Sequence, residues 1–170
     1  ILIENNWNSI STMSGRFEQI DTDNNIDYGN FYFDKPYKSM FSYDSKDEKI
    51  ITNKILIHII DDEGYQIDGY PIGNSPIKNI LSDNIKFDEI FIVNSVERIF
   101  DEKDMYLITT VSKNSGRSDA KVLFFFSIDD LTLKKWVIFD EFGNKTVLEF
   151  TNIQKNISID PNIFVVRYKH

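Results

Sequence analysis

The sequence has no cysteine and only two histidines, His58 and His170. That excludes disulfides, thiolate nucleophiles, cysteine-ligated zinc, iron–sulfur clusters and any site built from several histidines. Glycine and proline are scarce, at seven and four of 170 residues, which argues against a disordered or linker-like chain. No apolar run approaches the roughly 20 residues that a membrane-spanning helix needs. Positive charge is the minority sign: 19 lysines and arginines face 27 acidic residues, for a net charge of −8. Such a surface repels phosphate backbones and anionic headgroups, so general nucleic-acid binding is not expected. A chain that starts at Ile1 rather than Met is expected to be processed or trimmed, so the lack of a targeting peptide does not identify a compartment.

What is abundant is aromatic: 14% of the chain, mostly phenylalanine. A chain of this length is expected to fold as one domain over 1–170 and to bury roughly 70% of its unfolded surface. Leu2, Ile3, Trp7, Ile10 and Met13 form a helical stripe over residues 2–13, with Gly15 as its stop. The period then falls to two. Strands are expected at 16–20, 28–35, 39–43, 49–53, 55–60 and 65–72. Asn74-Ser75-Pro76 reads as the cap of a second helix, with Ile77, Ile80 and Leu81 as its stripe. Further strands follow at 90–100, 104–112, 121–128, 131–140, 145–154 and 163–168, joined by turns such as Asn114-Ser115-Gly116, Asp129-Asp130 and Glu141-Phe142-Gly143-Asn144. Short turns between strands mean antiparallel neighbours. A sheet this wide should curl or close.

Few residues suggest chemistry. Asp21-x-Asp23-x-Asn25-x-Asp27 begins like a calcium loop, but Ile26 and Tyr32 occupy the positions that require glycine and glutamate, so it reads as a hairpin turn. The acidic groups Asp61-Asp62-Glu63, Asp101-Glu102 and Asp129-Asp130 fall in turns where water solvates them. His58 reads as an outward strand residue. No phosphate loop or nucleophile elbow occurs. The period-two pairs Phe31 and Phe33, Phe41 and Tyr43, Phe124 and Phe126, Trp136 and Ile138, Leu148 and Phe150 are either an ordinary core or the lining of a pocket for an apolar guest. Lys35, on the same predicted face as Phe31 and Phe33, favours a pocket, since a lysine seldom enters a packed core without a partner.

The chain resembles the periplasmic lipoprotein carrier (LolA) family. Met13-Ser14-Gly15-Arg16-Phe17-Glu18-Gln19 is similar to the family segment that follows its first helix. Gly29-x-Phe31-x-Phe33-x-Lys35-Pro36, then Phe41-x-Tyr43, resembles its next strands. Tyr70-Pro71-Ile72 and Ser75-Pro76-Ile77-x-x-Ile80-Leu81 are similar to its second helical segment. The most specific stretch is Asp140-x-x-Gly143-x-x-Thr146-x-Leu148-x-Phe150-x-Asn152-Ile153-Gln154-x-Asn156, followed by Ile159-Asp160-Pro161-x-x-Phe164. Two positions depart: Lys35 replaces the arginine that holds the family's lid by hydrogen bonds, and Ser39 replaces an aromatic residue.

The resemblance implies a mainly β (α+β) fold: an incomplete, curved antiparallel β-barrel of about ten or eleven strands, with short helices as a lid over an apolar cavity. It implies a non-catalytic, cofactor-free, metal-free periplasmic chaperone, acting as a monomer. Such a carrier takes acylated lipoproteins released by an inner-membrane ABC transporter to the outer membrane, often through an acceptor lipoprotein. The expected acyl-chain and lid residues are Trp7, Ile10, Phe17, Phe31, Phe33, Lys35, Phe41, Tyr43, Ile77, Ile80, Leu81, Phe124, Phe126, Trp136, Ile138, Leu148 and Phe150. A lipid or lipoprotein sensor on the same fold is the alternative. A lipid or glycan hydrolase would need a convergent acid, base or nucleophile among residues that are almost all apolar.

Overall fold

Alternation of apolar and polar residues dictates the architecture, because successive strand side chains point to opposite faces. The computed structural model describes residues 2–73, 75–100, 104–112, 121–140 and 142–169. Among them are eleven strands: β1 (Thr12–Ile20), β2 (Ile26–Asp34), β3 (Lys38–Tyr43), β4 (Lys49–Thr52), β5 (Leu56–Ile60), β6 (Gln66–Pro71), β7 (Phe91–Phe100), β8 (Asp104–Ser112), β9 (Lys121–Ser127), β10 (Leu133–Phe139) and β11 (Lys145–Lys155). They form one open antiparallel sheet in the order β6-β5-β4-β3-β2-β1-β11-β10-β9-β8-β7. Short helices α1 (Leu2–Asn8), α2 (Pro76–Ile80) and α3 (Phe87–Ile90), and a 3-10 turn at Pro161–Phe164, complete the chain.

The chain divides into two compact units. One comprises residues 1–9, 18–26 and 84–151; the other comprises 10–17, 27–83 and 152–170. In the first unit, β9 buries Val122, Phe124 and Phe126 in alternation. Its neighbours continue the same face: Trp136 lies opposite both Phe124 and Leu148, and Ile138 lies opposite Val122.

In the second unit, Phe31 pairs with Phe41 and Phe33 with Ser39, while Phe41 pairs onward with Ile50. The opposite face of this unit carries Met40, Ile51 and Ile60. The chain's last segment covers that core with Ile163, Phe164 and Val166. The 3-10 turn starts where Asp160 caps it, its carboxylate accepting the Asn162 N–H at 3.0 Å, with Pro161 in the first turn.

Several expectations need correction. The first helix ends at Asn8, not residue 13, because Thr12 already starts β1. Ile10 lies between the two elements and Met13 is in the strand, although both are buried. Leu2 is 74% exposed, so the stripe does not begin with it. No strand forms at 163–168; the chain there makes the 3-10 turn and a single parallel bridge between Tyr65 and Arg167. Helix α3 was not expected. The expected features Asp101-Glu102, Asn114-Ser115-Gly116, Asn74 and Glu141 lie outside the described residues.

One glycine is fixed by close approach. A Cβ at Gly29 would meet the Ser42 carbonyl oxygen at 1.8 Å and the Phe17 ring at 2.8 Å. The Phe17 ring lies over this bare backbone, edge-on to Phe41 at 5.6 Å and Tyr43 at 5.4 Å. Gly29→Ala should therefore lower unfolding free energy by about 1–3 kcal/mol, as overpacking does. Urea titration measures this; an unchanged midpoint would contradict the Phe17–Gly29 packing.

Candidate binding site

Each unit assembles its own aromatic cluster. In the second, Phe33 packs on Phe31 at 4.9 Å and on Phe41 at 5.9 Å, and Phe17 joins through Phe41. In the first, Phe87 of α3 meets Phe91, Phe124 and Phe126 at 6.4, 5.5 and 5.9 Å, and Trp136 meets Phe150 edge-on at 5.0 Å. Phe17, Phe31, Phe33, Phe124 and Phe126 are all at most 1% exposed. Edge-to-face contacts of this kind add about 0.5–1.5 kcal/mol each beyond burial.

The helices in these units bury Trp7 and Ile80 and make polar bonds to neighbouring segments. Trp7 of α1 is fully buried. The Asn8 amide donates to the Ile85 carbonyl at 3.0 Å and accepts the Ile85 N–H at 2.8 Å. Glu4 accepts the Phe87 N–H at 2.9 Å, and Asn6 donates to the Asp130 and Leu131 carbonyls at 3.1 and 3.2 Å. Helix α1 thus latches onto the strand-free segment that carries Phe87. An open cleft of about 340 Å³, lined by Glu4, Asn8, Asn84, Ile85 and Lys86, runs along this latch.

In the second unit, α2 buries Ile80 and Leu81 completely, Ile77 being half-buried. The Tyr37 N–H donates to the Leu81 carbonyl at 2.8 Å, joining α2 to the β2–β3 turn.

Lys35 also sits in that turn, one residue beyond β2 rather than within it. Its N–H donates to the Ser11 carbonyl at 2.9 Å. Burial pulls the Lys35 ammonium down to about 7, and the charge of Asp83 opposes this. Of the other expected residues, Ile10, Leu148 and Phe150 are buried, while Tyr43 and Ile138 are half-buried. His58 faces away from Phe31 and Phe33 but is 2% exposed rather than solvent-facing. It is bonded to Gln66 and Asn53, with Tyr168 edge-on at 6.4 Å. Asp21 accepts the N–H groups of Asp23 and Asn25, as a hairpin turn requires. A second cleft, of about 390 Å³, has a floor of Met40, Ile60 and Ile163 but a rim of Lys49, Asp62, Glu63 and Arg167, which suits no purely apolar guest.

Sequence reasoning missed Ile85, Phe87 and Phe91, although the i, i+4 spacing of the two phenylalanines was a usable helical signal. It also missed Glu4 and Asn8, which look like any solvated helix face until their partners are known.

The lysine makes stability pH-dependent. With its folded value near 7 and its unfolded value near 10.5, the unfolded chain binds more protons across that window. The burial penalty is complete below about pH 7 and is relieved as pH rises to about 10.5. The stability advantage of Lys35→Met over the parent should therefore shrink between these limits. A pH-independent difference in denaturation midpoints would contradict a buried, ionisable Lys35.

Comparison with known proteins places these features. The family model described as outer membrane lipoprotein carrier protein LolA matches residues 8–167. A LolA superfamily protein from Nitrosomonas europaea aligns with a TM-score of 0.51 at 12% identity, over 96% of each chain. An uncharacterized conserved protein from Thermus thermophilus gives 0.55 at 10% identity, over 99% of this chain and 98% of that one. A chain in the Pseudomonas aeruginosa MucA/MucB complex gives 0.54 at 8% identity, over 98% of this chain but 62% of its own length. At such identities these structures speak to the fold alone. No curated protein matches the chain by sequence.

Proposed function

Since the chain belongs to the outer membrane lipoprotein carrier protein LolA family over residues 8–167, we propose that it is a periplasmic carrier. It would take the acyl chains of lipoproteins from an inner-membrane ABC transporter to the outer membrane, directly or through an acceptor lipoprotein. The family fold binds rather than catalyses, and the reading assigns no reaction to this chain. The observation that supports it most is the pairing of fully buried aromatic clusters with helices tied down by a handful of hydrogen bonds.

The physical need is clear. Each acyl methylene gains about 0.8 kcal/mol from burial, so a lipoprotein with two or three chains loses tens of kcal/mol on entering water. A carrier must replace that burial and still release the guest. Here Trp7 and Ile80 of the helices and the adjoining Ile10 and Leu81 are buried and Ile77 is half-buried, while the clusters of Phe17, Phe31, Phe33, Phe41 and Tyr43 and of Phe124, Phe126, Trp136, Ile138, Leu148 and Phe150 are buried or half-buried. A guest competes with these helices, so net affinity is the difference between two burials. Lys35, whose N–H bonds the Ser11 carbonyl, stands where the family uses arginine, and is a single-point donor without the guanidinium fork.

Native mass spectrometry with a di- or triacylated peptide and its deacylated control tests this. Only the acylated peptide should be retained, and acceptor vesicles should then remove it. Equal retention of both forms would contradict the proposal, and retention without release would leave a sensor. Asn8→Ala leaves the Ile85 N–H and carbonyl unsatisfied and weakens the latch by about 1–3 kcal/mol. It should raise acyl-peptide affinity roughly tenfold; lowered affinity in a folded variant would contradict a competing α1.

A further inference from the structure

One sheet face is cationic on an anionic chain. Strands β9 and β10 and residues 145–151 of β11 place Lys121, Lys135 and Lys145 on this face beside one acid, Glu149. The register puts Phe139 between Lys121 and Lys145, and Phe125 opposite Lys135. The ammonium groups of Lys121 and Lys145 lie 4.7 and 5.9 Å from the Phe139 ring centre, and that of Lys135 lies 5.1 Å from the Phe125 centre. By alternation these side chains point away from Phe124, Trp136 and Leu148. Leu123, Phe125, Phe139 and Val147 are half-buried, so this face is apolar beneath lysine stems.

The β10–β11 turn extends the patch. Asp140 accepts the N–H groups of Phe142 and Asn144 and the Asn144 side-chain amide, each at 2.9 Å. These bonds hold its carboxyl below the usual range, the Asn144 side chain contributing most. Gly143 supplies the left-handed residue, at φ +82°. Phe142, 74% exposed, lies close in sequence to the Phe139–Lys145 pair.

We propose that this face is a docking surface for an anionic lipid bilayer, with Phe142 entering the headgroup region and Lys121, Lys135 and Lys145 meeting lipid phosphates. An exposed aromatic beside snorkelling lysines is the arrangement that an interface of opposite charge accommodates. The acidic remainder of the chain opposes approach, but salt screens charges beyond about 8 Å at physiological ionic strength, so it weakens this distant repulsion more than the attraction of lysines at contact distance. One aromatic and three lysines give a weak, reversible contact. The surface is separate from the aromatic clusters, so its test needs no client.

The intact protein is sedimented with vesicles of phosphatidylcholine and phosphatidylglycerol, and with phosphatidylcholine alone. It should bind the mixed vesicles, less as salt is raised, and not the neutral ones. Each lysine at an anionic surface is worth roughly a fivefold factor, so Lys121→Ala with Lys145→Ala should weaken binding about 25-fold. Phe142→Ser should weaken it several-fold, with melting temperature and acyl-peptide uptake unchanged in all variants. Absence of binding at low salt, equal binding to both vesicle types, or binding indifferent to these substitutions would overturn the proposal. So would a dimer abolished by the double lysine variant, which would mark the face as a contact between copies.

Discussion

The burial of aromatic rings on one face of the strands within each unit is the constraint on which the rest depends. A sheet of alternating strands offers two faces, and an apolar one must be covered. In the second unit one face of β3–β5 is covered by the chain's last segment, whose Ile163, Phe164 and Val166 pack on Met40, Ile51 and Ile60. The other face of that unit carries Phe31, Phe33 and Phe41, and in the same unit Ile80 of α2 and the adjoining Leu81 are buried, with the Tyr37 N–H donating to the Leu81 carbonyl. The first unit repeats this economy: Phe87, Phe91, Phe124 and Phe126 form a cluster, and α1 is secured by Glu4, Asn6 and Asn8. Short helices of this kind have little stability of their own, since nucleation costs more than a few turns return. Their place is therefore set by tertiary packing and by the bonds to neighbouring segments.

Much of this was legible in the sequence because strand periodicity is a local signal. Phe31 with Phe33, Phe124 with Phe126 and Leu148 with Phe150 each lie on one face as alternation requires. Helix α2 was legible through Ser75-Pro76 and the Ile77–Ile80–Leu81 stripe. The length of α1 was not, because Ile10 and Met13 continue a helical spacing by coincidence while belonging to a link and a strand. The tail misled for a related reason: Ile163 to Val166 has strand composition, but its hydrogen bonds form a 3-10 turn and its apolar side chains cover a finished sheet. The polar latch of Asn8 on Ile85 could not be read at all, since it joins residues 77 apart through side-chain amide geometry.

Lys35 shows how a familiar motif changes meaning with one residue. Alternation placed it on a strand face, whereas the chain turns just before it, and Pro36 follows. A half-buried ammonium pulled to about 7 is a group whose charge is costly to keep. The resembling family has a rigid guanidinium there, always charged and able to span two carbonyls.

Amide hydrogen exchange tests the displaceable cover most directly, read with and without a bound acylated peptide. If the helices compete with the guest, amides of α1 and of residues 85–87 should exchange faster in the complex, while those of β9 to β11 keep their protection. Slower exchange in α1 on loading, or no change there while the peptide is bound, would mean that the helices are permanent core.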